Sequence, residues 1–185
     1  VLMVSRLRGN LKGRGLTVGV VVARFNESIT SRLLEGCEAA LSKCEVASDD
    51  VTVASVPGSF ELAVTAKRMA ESGRFDAIVC LGAVIRGETD HYEHVGGQAA
   101  RGIVDAALAT GLPVVFGVLT TNTVEQAVAR AGGEHGEQVE SAVAQQKPEL
   151  GETSSDGVEG NAGYSAGLAA VEMANLLSAL DANGA

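Results

Sequence analysis

Tryptophan is absent from this chain, and four Phe with two Tyr make aromatics only 3% of its 185 residues. Apolar residues still reach 46%, so a core must be built from Val, Ala, Leu and Ile. Val-rich strands and Ala-rich helices are what an α/β sandwich uses. Cysteine is scarce and odd in number. Cys37, Cys44 and Cys80 form neither a disulfide framework nor a metal-ligand spacing, and Cys37 and Cys80 fall in apolar stretches where a thiol acts as a small hydrophobe. That usage fits a reduced, cytoplasmic setting. No Lys/Arg run is present and the net charge is −9, which argues against nucleic acid or an anionic membrane as a partner. No apolar run is long enough to span a membrane, and no secretory signal pattern is visible. Val1 stands where Met would begin a chain, as expected of a trimmed start. An organelle lumen is therefore the second expected location, should a transit segment have been removed. The length and the lack of internal repeats lead us to expect one domain over 1–185.

What is present alternates between apolar runs and helical periods. Thr17 to Ala23 (TVGVVVA) reads as a strand, and Ser28 to Lys43 as a helix with Ile29, Leu33, Leu34, Cys37 and Leu41 on one face. Val51 to Val56 is a second strand, broken by Pro57-Gly58 and followed by a helix from Phe60 to about Ser72. Ala77 to Ile85 is a third strand, with a helix from His91 to Thr110 that stops at Gly111. Val114 to Leu119 is the fourth. Its helix opens with Thr123-x-x-Gln126, read as a capping box in which hydroxyl and amide close each other's backbone N–H groups. A last helix covers about Gly163 to Leu180. Strand–helix alternation with short links predicts a parallel sheet covered on both faces.

The stretch Leu81 to His94 (LGAVIRGETDHYEH) carries the most chemistry. A buried strand ending in a Gly turn delivers Arg86, Glu88, Thr89 and His91 to the rim of the sheet, where open α/β folds bind ligands. The plain alternative is a solvated strand-to-helix turn with two surface histidines. Together with VVARFNESIT (Val21 to Thr30), VPGSFELA (Val56 to Ala63), PVVFGVLTTNTVEQAVARAG (Pro113 to Gly132) and NAGYSAGLAAVEMANLL (Asn161 to Leu177), this stretch resembles the lumazine synthase family. The resemblance implies a flavodoxin-like three-layer α/β sandwich with a four-stranded parallel sheet. It also implies a transferase of riboflavin biosynthesis that condenses 5-amino-6-(D-ribitylamino)uracil with 3,4-dihydroxy-2-butanone 4-phosphate, without metal or organic cofactor. Homopentamers are implied too, able in the family to close into icosahedral shells.

The residues read differently with and without the resemblance. Phe25, a large ring at a polar strand end, is either a staple at the start of a helix or a platform for a flat ligand; the resemblance implies that it stacks on the pyrimidine. Glu61 in a first helical turn is an ordinary dipole partner, whereas the resemblance makes Ser59, Phe60 and Glu61 holders of the pyrimidine and its ribityl chain. Ala83, Val84 and Ile85 are apolar, and only the resemblance names them, through their backbone. Glu88 and Thr89 lie where a helix start presents free N–H groups, implied to receive the phosphate. Phe116, inside a strand, reads as core on its own; the resemblance makes it a neighbouring subunit's lid on the pyrimidine. Arg130 reads as a charge at a helix C-terminus, and by resemblance as a phosphate ligand suited by its fixed guanidinium. His91 is the implied general acid/base.

Two features depart from the family pattern. Members commonly read Asn-Lys-Gly where this chain has Asn161-Ala162-Gly163, removing a second cation near the phosphate. Between Gly133 and Asn161 the family usually has a few residues, while this chain has a long acidic stretch. Its Glu137 to Gln146 part reads as a short helix and Gly151 to Gly160 as a loop, so an extra segment is expected at about 137–160. A long link implies free pentamers rather than shells. Two other readings share the fold: an archaeal-type riboflavin synthase, and a catalytically weakened flavin-binding or assembly protein. The basic, Gly-interrupted stretch Leu2 to Gly15 is implied to add a strand to a neighbour's sheet.

Overall fold

The computed structural model describes residues 4–133 and 160–182. The extra segment therefore lies outside the described residues, apart from Gly160. Four strands, β1 (Val18–Ala23), β2 (Val51–Val56), β3 (Ala77–Ile85) and β4 (Val114–Thr121), form one sheet. Their order is β2-β1-β3-β4 and every pairing is parallel. The helices are α1 (Glu27–Lys43), α2 (Leu62–Ala70), α3 (His91–Thr110), α4 (Val124–Arg130) and α5 (Ala162–Ala182).

Strand chemistry explains the order. All of β1 is buried, and so is β3 up to Ile85, as unbroken apolar runs require of central strands covered on both faces. The polar-interrupted β2 and β4 take the edges. One face packs Val18, Val20, Val22, Val79 and Leu81 against Leu33, Cys37 and Leu41 of α1 and Ala166, Ala170 and Val171 of α5. The other packs Val21, Ile78, Cys80 and Val118 against Leu62 and Ala66 of α2 and Ile103 of α3. The result is the expected flavodoxin-like three-layer arrangement. Helices α1 and α5 meet through small residues: a Cβ on Gly163 would collide with the Leu33 carbonyl, and one on Gly167 would lie 2.9 Å from Ala40 Cβ. Close helix contact of this kind requires Gly.

Several local expectations change. A 3-10 turn, Ser59–Glu61, precedes α2, which ends at Ala70 rather than Ser72. Strand β4 runs on to Thr121, because Ile85 still pairs there. The Thr123 hydroxyl does accept from Gln126 N at 3.2 Å, but the Gln126 amide accepts from Asn122 N at 2.9 Å, so the box closes one residue earlier than predicted. Residues 4–13 form no strand within the chain. They are held on α5 by Asn175 Nδ2, which donates to the carbonyls of Asn10 and Lys12. Burial pushes the Cys37 thiol up to about 12, helped by Glu38, and the Cys80 thiol likewise; both are fully buried. No helix among the described residues is long and apolar enough to cross a membrane.

Candidate functional site

In a parallel sheet, neighbouring strands whose following helices cover opposite faces leave a crevice at their carboxyl ends. Here β1 leads to α1 on one face and β3 to α3 on the other, so the crevice lies between the ends of β1 and β3. Beyond the strands the backbone stays tied: Arg24 N donates to Val56 O at 2.8 Å and Phe25 N to Pro57 O at 3.0 Å. The Phe25 ring is 70% exposed, which removes the staple reading and leaves an unpartnered aromatic surface at the rim.

Behind β2, Ser59 is buried against β3, where a Cβ on Gly82 would lie 2.5 Å from Ser59 Oγ. Its side chain is thus largely used up in packing, while Phe60 beside it is exposed. Glu61 is half-buried, and its Oε2 accepts from Gly58 N at 2.9 Å. The carboxylate therefore fastens the turn, with its other oxygen left over. At the end of β3, Ala83 and Val84 turn their side chains into opposite cores, so only their backbone can meet a ligand. Arg86 N donates to Thr121 O at 2.9 Å, continuing the ladder one step past β3. The Arg86 guanidinium then lies 5.6 Å from the centre of the Tyr92 ring. Glu88, Thr89 and His91 follow, all exposed, around the first turn of α3.

Phe116 and Arg130 are elsewhere. Phe116 pairs with Cys80, five residues before Ile85. At about 3.3 Å per residue it sits roughly 16 Å below the end of β3. It is also 43% exposed, which corrects the core reading: β4 is an edge strand and leaves the ring uncovered. With Arg130, Phe116 lines an open groove of about 450 Å³ whose other walls include Leu119, Gly160, Ala162 and Ser165. Ala162, the position without the expected lysine, thus lies in the same groove as Arg130.

The family model for 6,7-dimethyl-8-ribityllumazine synthase matches residues 15–178. The chain belongs to that family. The match takes in every element of the sheet and all five helices up to Ser178, so the lumazine synthase fold and the observed one agree.

Two residues were not singled out by sequence. Asn26, at the start of α1, sends its side chain across to Ala83 O. Asn161, just before α5, is buried and its side chain makes four hydrogen bonds. Both have partners far away in the chain, which local pattern does not reveal. Among the described residues, no group of three or more His, Cys, Asp or Glu is gathered as a metal site would need.

Proposed function

We propose that this chain is a 6,7-dimethyl-8-ribityllumazine synthase acting as one domain, with the extra segment as an insertion. It condenses 5-amino-6-(D-ribitylamino)uracil with 3,4-dihydroxy-2-butanone 4-phosphate, releasing phosphate and water. What supports this reading is that, in a chain of this family, Phe25, the 59–61 turn and the end of β3 all lie at strand carboxyl ends of one parallel sheet, with His91 opening the helix after β3. Phe25 stacks on the pyrimidine, an aromatic surface matching a flat ring. The 59–61 turn and the β3 backbone hold its polar edge and ribityl chain. Glu88 and Thr89, at the start of α3, receive the phosphate, where free N–H groups and the positive end of the helix dipole favour an anion.

The reaction needs an imine between the pyrimidine amine and the ketone, elimination of phosphate, and ring closure. Each step moves a proton, and we assign its transfer to His91, exposed at the start of α3. The remaining acceleration comes from holding two substrates in one orientation.

Phe116 and Arg130 serve the crevice of a neighbouring copy, in a homopentamer. Support comes from the distance of Phe116 to this chain's own rim, from its uncovered ring on an edge strand, and from Arg130 lining the same groove as that ring. Arg130 then binds the neighbour's phosphate with a bidentate guanidinium.

The test is turnover with the two substrates, followed by lumazine absorbance and fluorescence. Lumazine and inorganic phosphate in equal amounts are expected. Riboflavin formed from two lumazines would replace this reading with the dismutating one, and tight flavin binding without turnover would make the chain a binding protein.

A further inference from the structure

We propose that Asn26 is a positioning residue for pyrimidine recognition, a clamp that holds the Phe25 platform at a fixed distance from the Ala83–Ile85 backbone. The inference rests on the pyrimidine-binding reading above. Asn26 occupies the N-cap of α1, where an Asn side chain ordinarily accepts from the backbone N–H groups of the first turn. It makes no such bond. Its Nδ2 instead donates to Ala83 O at 2.9 Å, across the mouth of the crevice to a residue 57 positions away.

The backbone at Asn26 is bent to allow this. Its φ of 60° and ψ of 45° lie in the left-handed region, which L-residues avoid and Asn tolerates better than most. Glu45 is the other non-Gly residue with positive φ among the described ones, and its conformation has a local cause. Glu45 N donates to Ser42 O and Val46 N to Leu41 O, the double bond that closes α1 at its C-terminus. Nothing of that kind acts on Asn26, whose carbonyl simply receives the first helical bonds from Ile29 and Thr30. A side chain that gives up its cap and sits in a disfavoured conformation, at the strand ends where a ligand is expected, is strain located at a functional site.

The mechanical consequence follows from the neighbours. Phe25 is pinned on one side by its N–H to Pro57 O, and its ring faces solvent. Asn26 pins the next residue to β3. Together they set the gap between ring and strand backbone, the two walls between which a pyrimidine would lie. The amide touches no reacting atom, so its effect belongs to binding geometry and not to proton transfer.

The test compares Asn26→Gly and Asn26→Asp with the unaltered protein. Gly takes the left-handed conformation freely, and Asp keeps the shape and tolerates it, but neither can donate to Ala83 O. Both should raise the KM for 5-amino-6-(D-ribitylamino)uracil roughly tenfold or more, as a misplaced wall does. The KM for the butanone phosphate and the pH profile of kcat should stay unchanged, as should the melting temperature of Asn26→Gly. A pyrimidine KM equal to that of the unaltered protein in both variants overturns the clamp. An equal rise in both KM values also overturns it, since that is general loosening. If Asn26→Gly does not fold, Asn26→Asp carries the comparison. Failure of both to fold overturns the proposal by making the bond a stability element. If the unaltered protein neither binds the pyrimidine nor turns over, the functional reading fails instead, a result distinct from all of these.

Discussion

Replacing Asn161 should cost more stability than any surface substitution in this chain. Asn161 is 5% exposed. Its Nδ2 donates to Arg32 O at 2.9 Å and Ala131 O at 3.0 Å, while its Oδ1 accepts from Gly163 N at 2.8 Å and Tyr164 N at 3.1 Å. One amide therefore caps α5 and ties it to α1 and to the end of α4. Asn161→Ala removes the partner of Gly163 N, Tyr164 N and Ala131 O at helix ends, and a second bond to Arg32 O inside α1. At about 1 kcal/mol per bond, with an extra penalty for buried groups left unpaired, the loss is about 3–5 kcal/mol. In a domain of this size that lowers the melting temperature by roughly 6–20 °C. Calorimetry or circular dichroism at fixed protein concentration measures it, because assembly alone shifts the midpoint. The amide also fills the space where a Cβ on Gly36 would stand. Gly36→Ala should therefore be destabilising alone and much less so in the Asn161→Ala background, a coupling that a double-mutant cycle reads. A loss below about 1 kcal/mol for Asn161→Ala, or strict additivity with Gly36→Ala, would refute the reasoning.

Other outcomes follow from the site and the core. His91→Ala should lower kcat by about 10²- to 10⁴-fold with little change in pyrimidine binding, while His94→Ala should do far less; equal losses from both would show that the proton carrier is misassigned. Arg130→Ala should raise the KM for the butanone phosphate and abolish inorganic phosphate binding, and Ala162→Lys, placing a second cation in the Arg130 groove, should tighten it; titration calorimetry with phosphate checks both. Burial holds the Cys37 and Cys80 thiols near 12, against about 9 when free. Above pH 9 the unfolded thiols ionise while the folded ones do not, so stability should fall as pH rises from 9 towards 12. Urea midpoints across that range test the sign, and a thiol reagent should find Cys37 and Cys80 unreactive until unfolding. Deleting 137–160, which carries Glu137, Glu140, Glu149, Glu152, Asp156 and Glu159, should give closed shells where the full chain gives free pentamers, by removing crowded like charge; light scattering that finds shells with the full chain would refute this.

Much of the architecture is legible in residue patterns, because local forces decide it. The unbroken apolar runs of β1 and β3 can be satisfied only at the centre of a covered sheet, and the structure places them there. Gly111 stops α3 where predicted, with its φ of 69° in the region Gly adopts freely. The rim residues from Arg86 to His91 follow from a buried strand that ends in a turn. Other features depend on what stands opposite. Phe116 looks like core in sequence, since alternation assigns a residue to a face and does not say whether anything covers that face. Only the strand order, with β4 at an edge, leaves it exposed. Nothing in the local sequence singles out Asn26 or Asn161. Their bonds reach across 57, 129 and 30 positions, and hydrogen bonds between groups so distant in the chain exist only once the helices and sheet have brought them together. Sequence thus determined which elements form and the family they belong to. Tertiary structure decided which polar groups are buried and tied, and which aromatic rings remain free for a ligand or a neighbour.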